Sequence, residues 1–193
     1  MEQTTAQKIL ASARSLIMAG GYNGFSYADI SDAIGIRKAS IHHHFPTKAA
    51  LVSTLVEQYA QEAATALGAV RENIPDPVDQ LQAYIGHWKT CIGDGSQPFC
   101  VCAMLAGEME ILPPEVAAHV QVHFRNLAAW LTAVLEEGAT CGQFQLDKLP
   151  EEMAQILMAS VHGAMLSARA LGTPDLFGAI VAPQIEALLA KKN

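Results

Sequence analysis

Apolar residues recur at intervals of three and four along nearly the whole chain, and no stretch sustains the period-two, β-branched alternation of a half-buried strand. An all-α fold is therefore expected. Ile9, Leu10, Ala13, Leu16 and Ile17 form the first such face, with Thr4 or Thr5 placed to cap it and Gly20-Gly21 to end it. Ser26-Tyr-Ala-Asp29 has the form of a capping box opening a short second helix that stops at Gly35. A third helix is expected from about Arg37 to Phe45. Pro46 and Thr47 then break and recap the chain ahead of a long fourth helix from Lys48 to about Glu72. Beyond Ile74-Pro-Asp-Pro77, the expected hinge, helices are expected at about 78–93, 100–111, 114–141, 150–171 and 175–190, with Pro183 kinking or splitting the last.

With 193 residues, 51% of them apolar and 16% charged, the chain has material for a sizeable core. No run approaches the ~18 uninterrupted apolar residues of a membrane span, and Met1 to Gln7 is too polar for a secretory signal. A cytoplasmic protein that does not engage the membrane is expected. Cys91, Cys100, Cys102 and Cys141 lack the dense spacing of a disulfide scaffold, which fits a reducing compartment. The net charge of -7 is unevenly spread: residues 1–48 carry five bases against three acids, and the remainder carries seven against sixteen. That pattern suits a small positive module on an acidic body whose charge opposes indiscriminate binding to polyanions.

Segment 26–45 has the dimensions of a helix-turn-helix, a capped short helix, a turn centred on glycine, and a second helix of about two turns. At ~100° per residue, Ile41 and Phe45 face inward with Ile30, Ile34 and Ile36, while Ala39, Ser40 and His43 point away and His42 lies at the edge. A helix that reads a groove needs such a small polar outer face, because Ser40 and His43 can exchange hydrogen bonds with base edges. Arg37, Lys38 and Lys48 flank it and can neutralise phosphates, fixing register without reading sequence. A solvated helical hairpin within a bundle is the alternative.

The string from Gly21 to Leu51 closely resembles the TetR/AcrR-type transcriptional repressors, whose signature ends in a recognition helix of the form Tyr-x-His-Phe-x-x-Lys. Gly21, Ser26, Ile30, Gly35, Lys38, Ser40, His44, Phe45 and Lys48 carry the match. The resemblance implies a homodimer in which each subunit puts its third helix into the major groove of a double-stranded DNA operator. It also implies a carboxy-terminal domain that binds a small inducer. Carried over by position, Ser26, Tyr27, Ser40, His42, His43 and Lys48 stand where the family meets DNA, with Lys38 at the usual basic position. His42 replaces the usual tyrosine, Arg37 the usual serine cap, and Ala28 a residue that is often basic. The implied domains are a helix-turn-helix domain, 1–47, and a ligand-binding and dimerisation domain, 48–193, connected by helix 48–72. His44 is expected to pack beside Phe45 as a structural histidine.

In the body, Tyr84, Trp88, Cys91, Cys100, Met104, Glu108, Phe124, His162 and Met165 combine adaptable apolar walls with a few polar groups that can orient a small apolar effector. Plain core is the alternative at each position. Cys100, at a helix start after the loop from Gly93 to Pro98, is also a candidate sensor of electrophiles or oxidants together with Cys102. His87 with Cys91 and His119 with His123 have i, i+4 spacing, but no motif unites them, so no metal or cofactor is expected. No phosphate loop or nucleophile elbow is present, and catalysis is not expected; the rival reading is a helical thiol- or metal-dependent enzyme using Cys100 and Cys102. Small residues among large ones in the last two helices suit a two-fold helical interface.

Histidine changes charge near neutrality, and His42 and His43 lie on the expected DNA face. DNA binding is expected to be tighter at pH 6 than at pH 8. Titration by fluorescence anisotropy at fixed salt checks this, and a flat affinity contradicts it.

Overall fold

The computed structural model of the chain describes residues 3–96 and 99–190. These are nearly all helical: α1 (Thr5–Gly20), α2 (Tyr27–Ile34), α3 (Lys38–His44), α4 (Lys48–Asn73), α5 (Pro77–Asp94), α6 (Val101–Ala106), a 3-10 turn (Met109–Ile111), α7 (Pro114–Thr140), α8 (Pro150–Leu171) and α9 (Leu176–Leu188). Among the described residues there is no strand, and one isolated antiparallel bridge pairs Phe144 with Leu189.

Two compact units arise, one of residues 1–62 with 100–123, the other of residues 63–99 with 124–193. Their boundary falls inside α4 and inside α7. In the first unit, Ile9, Ala13 and Ile17 put one fully buried stripe of α1 against α2, α3 and α6. Ile30, Ile41, Leu51, Val52, Val56, Val101 and Leu105 are buried in the same unit. Each such aliphatic side chain is worth roughly 1.5–3 kcal/mol of transfer free energy. This unit is larger than the amino-terminal motif alone, because the first half of α4 and the segment around α6 bury their apolar faces within it.

The second unit is built on α8 packed against α9, with α5 also touching α9. Leu81, Leu131, Leu135, Val161, Met165, Phe177 and Val181 are fully buried there. Trp130 Nε1 donates to the Leu67 carbonyl at 2.9 Å, and Arg71 pairs with Glu137 at 3.0 Å. Asp76 caps α5 by accepting from the Val78 and Asp79 amides, and Gln143 Nε2 donates to its other oxygen.

Two expected elements differ. The helix expected over 100–111 ends at Ala106, because Gly107 favours helix poorly and Glu108 N–H turns to the Leu105 carbonyl at 2.9 Å, tightening the chain into the 3-10 turn. Pro183 does not split α9, which runs through it. Pro183 and Ala179, whose carbonyl loses its helical partner there, are both exposed residues.

Gly138 lies in α7 where an added Cβ would collide with the ring of Phe144, itself 4% exposed. In an open helix Gly→Ala stabilises by up to about 1 kcal/mol. Here overpacking reverses the sign, and Gly138→Ala is expected to lose about 1–3 kcal/mol in urea unfolding; a gain would contradict the packing.

Candidate nucleic-acid interface

The local sequence builds the motif through its caps. Ser26 Oγ accepts from the Ala28 amide at 3.2 Å, while the Asp29 carboxylate accepts from Ser26 N–H at 2.7 Å and from Ser26 Oγ at 2.8 Å. Gly35, at φ 67°, provides the left-handed turn that ends α2, and Ser31 Oγ donates to the Ile36 carbonyl at 2.6 Å across it. Arg37 stands at the N-cap of α3 but makes no side-chain cap bond. The far end of α3 is held by Tyr27, whose hydroxyl donates to the Phe45 carbonyl at 2.8 Å. Burial, with a smaller contribution from Tyr22, pushes the Tyr27 hydroxyl up to about 12, so it stays a donor.

Ile30 and Ile41 are fully buried and Phe45 nearly so, with Ile34 and Ile36 half-buried. On the opposite side Arg37, Lys38, Ala39, His42 and His43 are exposed and Ser40 is half-buried. His42 is oriented by its neighbours: Nδ1 donates to the Pro46 carbonyl at 3.3 Å and its ring meets Tyr27 edge-on at 4.8 Å. That leaves Nε2 pointing away from the motif's own backbone partner. His44 is exposed with its ring 5.5 Å from that of His43, so it is not the structural histidine expected beside Phe45.

The remaining expected contacts have structural duties. Ser26 is engaged in the cap and Tyr27 in the tie to Phe45. Lys48 is half-buried, donating to the Phe25 carbonyl and lying 4.1 Å from the Phe25 ring centroid and 4.9 Å from that of Tyr22. Burial lowers its pKa, opposed by the nearby Glu108 carboxylate.

Of the residues selected in the body, Cys100, Met104 and Glu108 fall in the first unit, and Tyr84, Trp88, Cys91, Phe124, His162 and Met165 in the second. Within the second, Tyr84 packs near Trp130 at 5.7 Å, His87 near Trp88 at 5.3 Å, and Phe124 near His162 at 5.2 Å. An open cleft of about 850 Å³ in this unit is lined by other residues, including Arg71, Asp76, Glu137 and Cys141. Glu108 accepts the Tyr22 amide at 2.6 Å. Cys100 is fully buried at the N-cap of α6. Its sulfur meets Tyr59 Oη at 3.5 Å and His123 Nε2 at 3.7 Å. Sequence periodicity had no means of linking Tyr59 and His123 to Cys100, since they lie 41 and 23 residues away. Among the described residues no group of three or more His, Cys, Asp or Glu side chains is arranged to hold a metal ion.

Residues 9–55 match the family model described as bacterial regulatory proteins, tetR family, and residues 77–182 match that of the tetracyclin repressor-like carboxy-terminal domain. The chain belongs to the TetR family. A solved TetR-family transcriptional regulator from Agrobacterium tumefaciens is 55% identical to it, superposes with a TM-score of 0.94, and is matched over 96% of this chain and 97% of that one. The curated repressor DhaR of a Mycobacterium species is 24% identical over 163 residues, 83% of this chain and 80% of its own. NemR of Escherichia coli, also a named repressor, is 24% identical over 178 residues, 87% of this chain and 85% of its own. The protein is accordingly a DNA-binding regulatory protein of the TetR family, and no helix among its described residues is long and apolar enough to cross a membrane.

The cap of α2 gives this TetR-family motif a testable pH signature. Hydrogen bonds from Ser26 hold the Asp29 carboxyl below its ordinary 3.8. A depressed folded-state value stabilises at neutral pH and is lost as the pH falls through it. Asp29→Asn is expected to be less stable than the parent at pH 7, the gap closing as pH drops below 3.8. Thermal unfolding across a pH series checks this; a gap of constant size contradicts it.

Proposed function

We propose that the chain is a homodimeric transcriptional repressor released from a palindromic operator by a small apolar or electrophilic effector. The observation that carries this reading is the outer face of α3: Arg37, Lys38, His42 and His43 exposed, Ser40 beside them, and Ile41 fully buried directly behind. A short helix presenting two cations, a hydroxyl and two imidazoles with no bulky apolar group can approach base edges while Arg37 and Lys38 neutralise phosphates. Ser26, Tyr27 and Lys48 support it from behind and reach DNA only at its margin.

One such helix spans few base pairs, so specificity calls for two half-sites about 34–36 Å apart or a multiple of that. Dimerisation through α8 and α9 is supported by Ile156, Leu166 and Leu171, large apolar residues of α8 at 41%, 60% and 70% exposure, set among small residues such as Gly163. A self-complementary face of this kind suits a two-fold axis. Repression as the sign of regulation is supported by the names of the relatives DhaR and NemR.

The effector arm has two supports. In the second unit Tyr84 pairs with Trp130 and Phe124 with His162, while Trp88 and Met165 are buried, so an apolar effector bound there would enter by repacking adaptable aromatic and thioether core. Cys100, in the first, offers a thiol among polar partners. An effector releases DNA by binding better to the conformation whose recognition helices are wrongly spaced.

Footprinting on the region upstream of the chain's own gene is expected to show a protected palindrome. His43→Ala together with Ser40→Ala should weaken that binding at least about tenfold, equivalent to the loss of one good base contact. Protection of no sequence, or unaltered affinity in the double variant, would overturn the reading; protection that no panel of apolar compounds or electrophiles relieves would overturn its effector arm.

A further inference from the structure

The four thiols stand in different chemical settings. Cys141 is exposed, its thiol donating to the Glu137 carbonyl at 2.9 Å, and Cys91 is half-buried with His87 Nε2 3.8 Å away. Cys100 and Cys102 are both at 0% exposure. The two buried thiols differ in what surrounds them. Cys100 lies at the N-cap with an extended backbone, ψ 126°, so its sulfur folds back over the first turn of α6 and accepts from the Ala103 amide at 3.4 Å. Tyr59 Oη donates to the same sulfur at 3.5 Å, and His123 Nε2 lies 3.7 Å from it. The Tyr59 hydroxyl and the Ala103 amide donate to this sulfur, and the imidazole nitrogen stands on the same sulfur, where it can accept a proton. This is a nucleophile and a base within reach, with donors set to hold the charge that develops when the proton leaves.

Resting on the electrophilic-effector reading, the geometry points to His123 as the proton acceptor that makes Cys100, and not Cys102, the thiol that adds to a small α,β-unsaturated carbonyl. Tyr59 Oη and the Ala103 amide stabilise the sulfur. Cys102 is the silent neighbour: its hydrogen bond to Cys100, and then burial, push its thiol well up, so it stays protonated. Burial likewise keeps Tyr59 protonated and donating.

The step balances without an oxidant. The thiol proton passes to His123 Nε2, and Sγ forms a bond to the β-carbon. The π pair of the carbon–carbon double bond moves toward the α-carbon and carbonyl as an enolate. The imidazolium then returns its proton to the α-carbon, leaving a thioether and neutral His123. A sulfur at 0% exposure is reached only when the packing over it opens, which favours a compact reagent. Ionisable groups acting on the cluster include Tyr59 on α4, Cys102 on α6 and Arg14 on α1, whose guanidinium lies 5.1 Å from the Tyr59 ring centroid and 3.8 Å from Glu62; His119 stands one turn before His123 on α7.

The test uses the full chain with Cys91→Ser and Cys141→Ser, alkylated by N-ethylmaleimide between pH 5.5 and 9 and read by site-resolved mass spectrometry. Cys100 is expected to label before Cys102, at a rate that levels off below pH 8. An unassisted thiol instead gains about tenfold per pH unit up to its ordinary value near 8.5. Adding His123→Gln should slow Cys100 at pH 6.5 at least about tenfold and restore the unassisted slope. Tyr59→Phe should slow it less and leave the plateau in place. Labelling of Cys100 with the same profile in the His123→Gln protein overturns the role of His123 and spares the electrophilic reading. Absence of Cys100 labelling, or Cys102 labelling first, overturns both. Should His123→Gln fail to fold, the parent profile decides, and a slope unbroken through pH 8.5 overturns the proposal.

Discussion

A single carboxylate ties the DNA-reading motif to a segment eighty-six residues further along the chain. Glu108 Oε2 accepts the Tyr22 amide in a half-buried setting, and a hydrogen bond to a charged acceptor of this kind is worth about 1.5–3 kcal/mol. The contact requires glycine at position 21 for two separate reasons. The backbone there has φ 73°, which costs an L side chain energy, and any Cβ would collide with the Glu108 carboxyl. Lys48, braced on Phe25 close by, keeps the carboxylate in the company of a cation. The compact unit that contains the motif therefore also includes the residues around α6.

The recognition helix gains little stability from its own sequence. It has seven residues, no side-chain cap at Arg37, and three histidines in its last turn. A missing cap costs about 1 kcal/mol, and so short a helix is marginal in water. What holds α3 is the burial of its one inward side chain, Ile41, together with two bonds from outside it, Ser31–Ile36 at its entrance and Tyr27–Phe45 at its exit. This arrangement divides the labour. The ties at both ends come from the flanking elements, and of the outer polar side chains of α3 His42 is braced by the Pro46 carbonyl and the Tyr27 ring.

Local chemistry was legible from the sequence wherever it depended on near neighbours. The Ser26–Asp29 box, the stop at Gly35, the proline start of α8 and the inward stripe ending in Ile41 are all set by residues within a few positions. Long-range partners were not legible. Glu108 read as a polar group for a bundle cavity because its actual partner is a backbone amide, which leaves no mark on side-chain periodicity. The same holds for Cys100, whose neighbours Tyr59 and His123 come from α4 and α7. His44 matches the family signature yet is exposed, since the inward position at that end of α3 is taken by Phe45. Pro183 lies inside α9 on an exposed position and removes one backbone bond without ending the helix, which continues to Leu188 because Val181, Ile185 and Leu188 bury its other face.

Within the first unit the thiol cluster and the DNA-reading motif share elements. Tyr59, which donates to the Cys100 sulfur, carries the Arg14 guanidinium of α1 over its ring, and Arg14 in turn lies 3.8 Å from Glu62 one turn further along α4. Helix α1 presents Ile9, Ala13 and Ile17 to the core it shares with α2 and α3. The Cys100 sulfur, Tyr59, Arg14 and the buried stripe of α1 therefore lie on neighbouring elements of the same compact unit that holds Ile41.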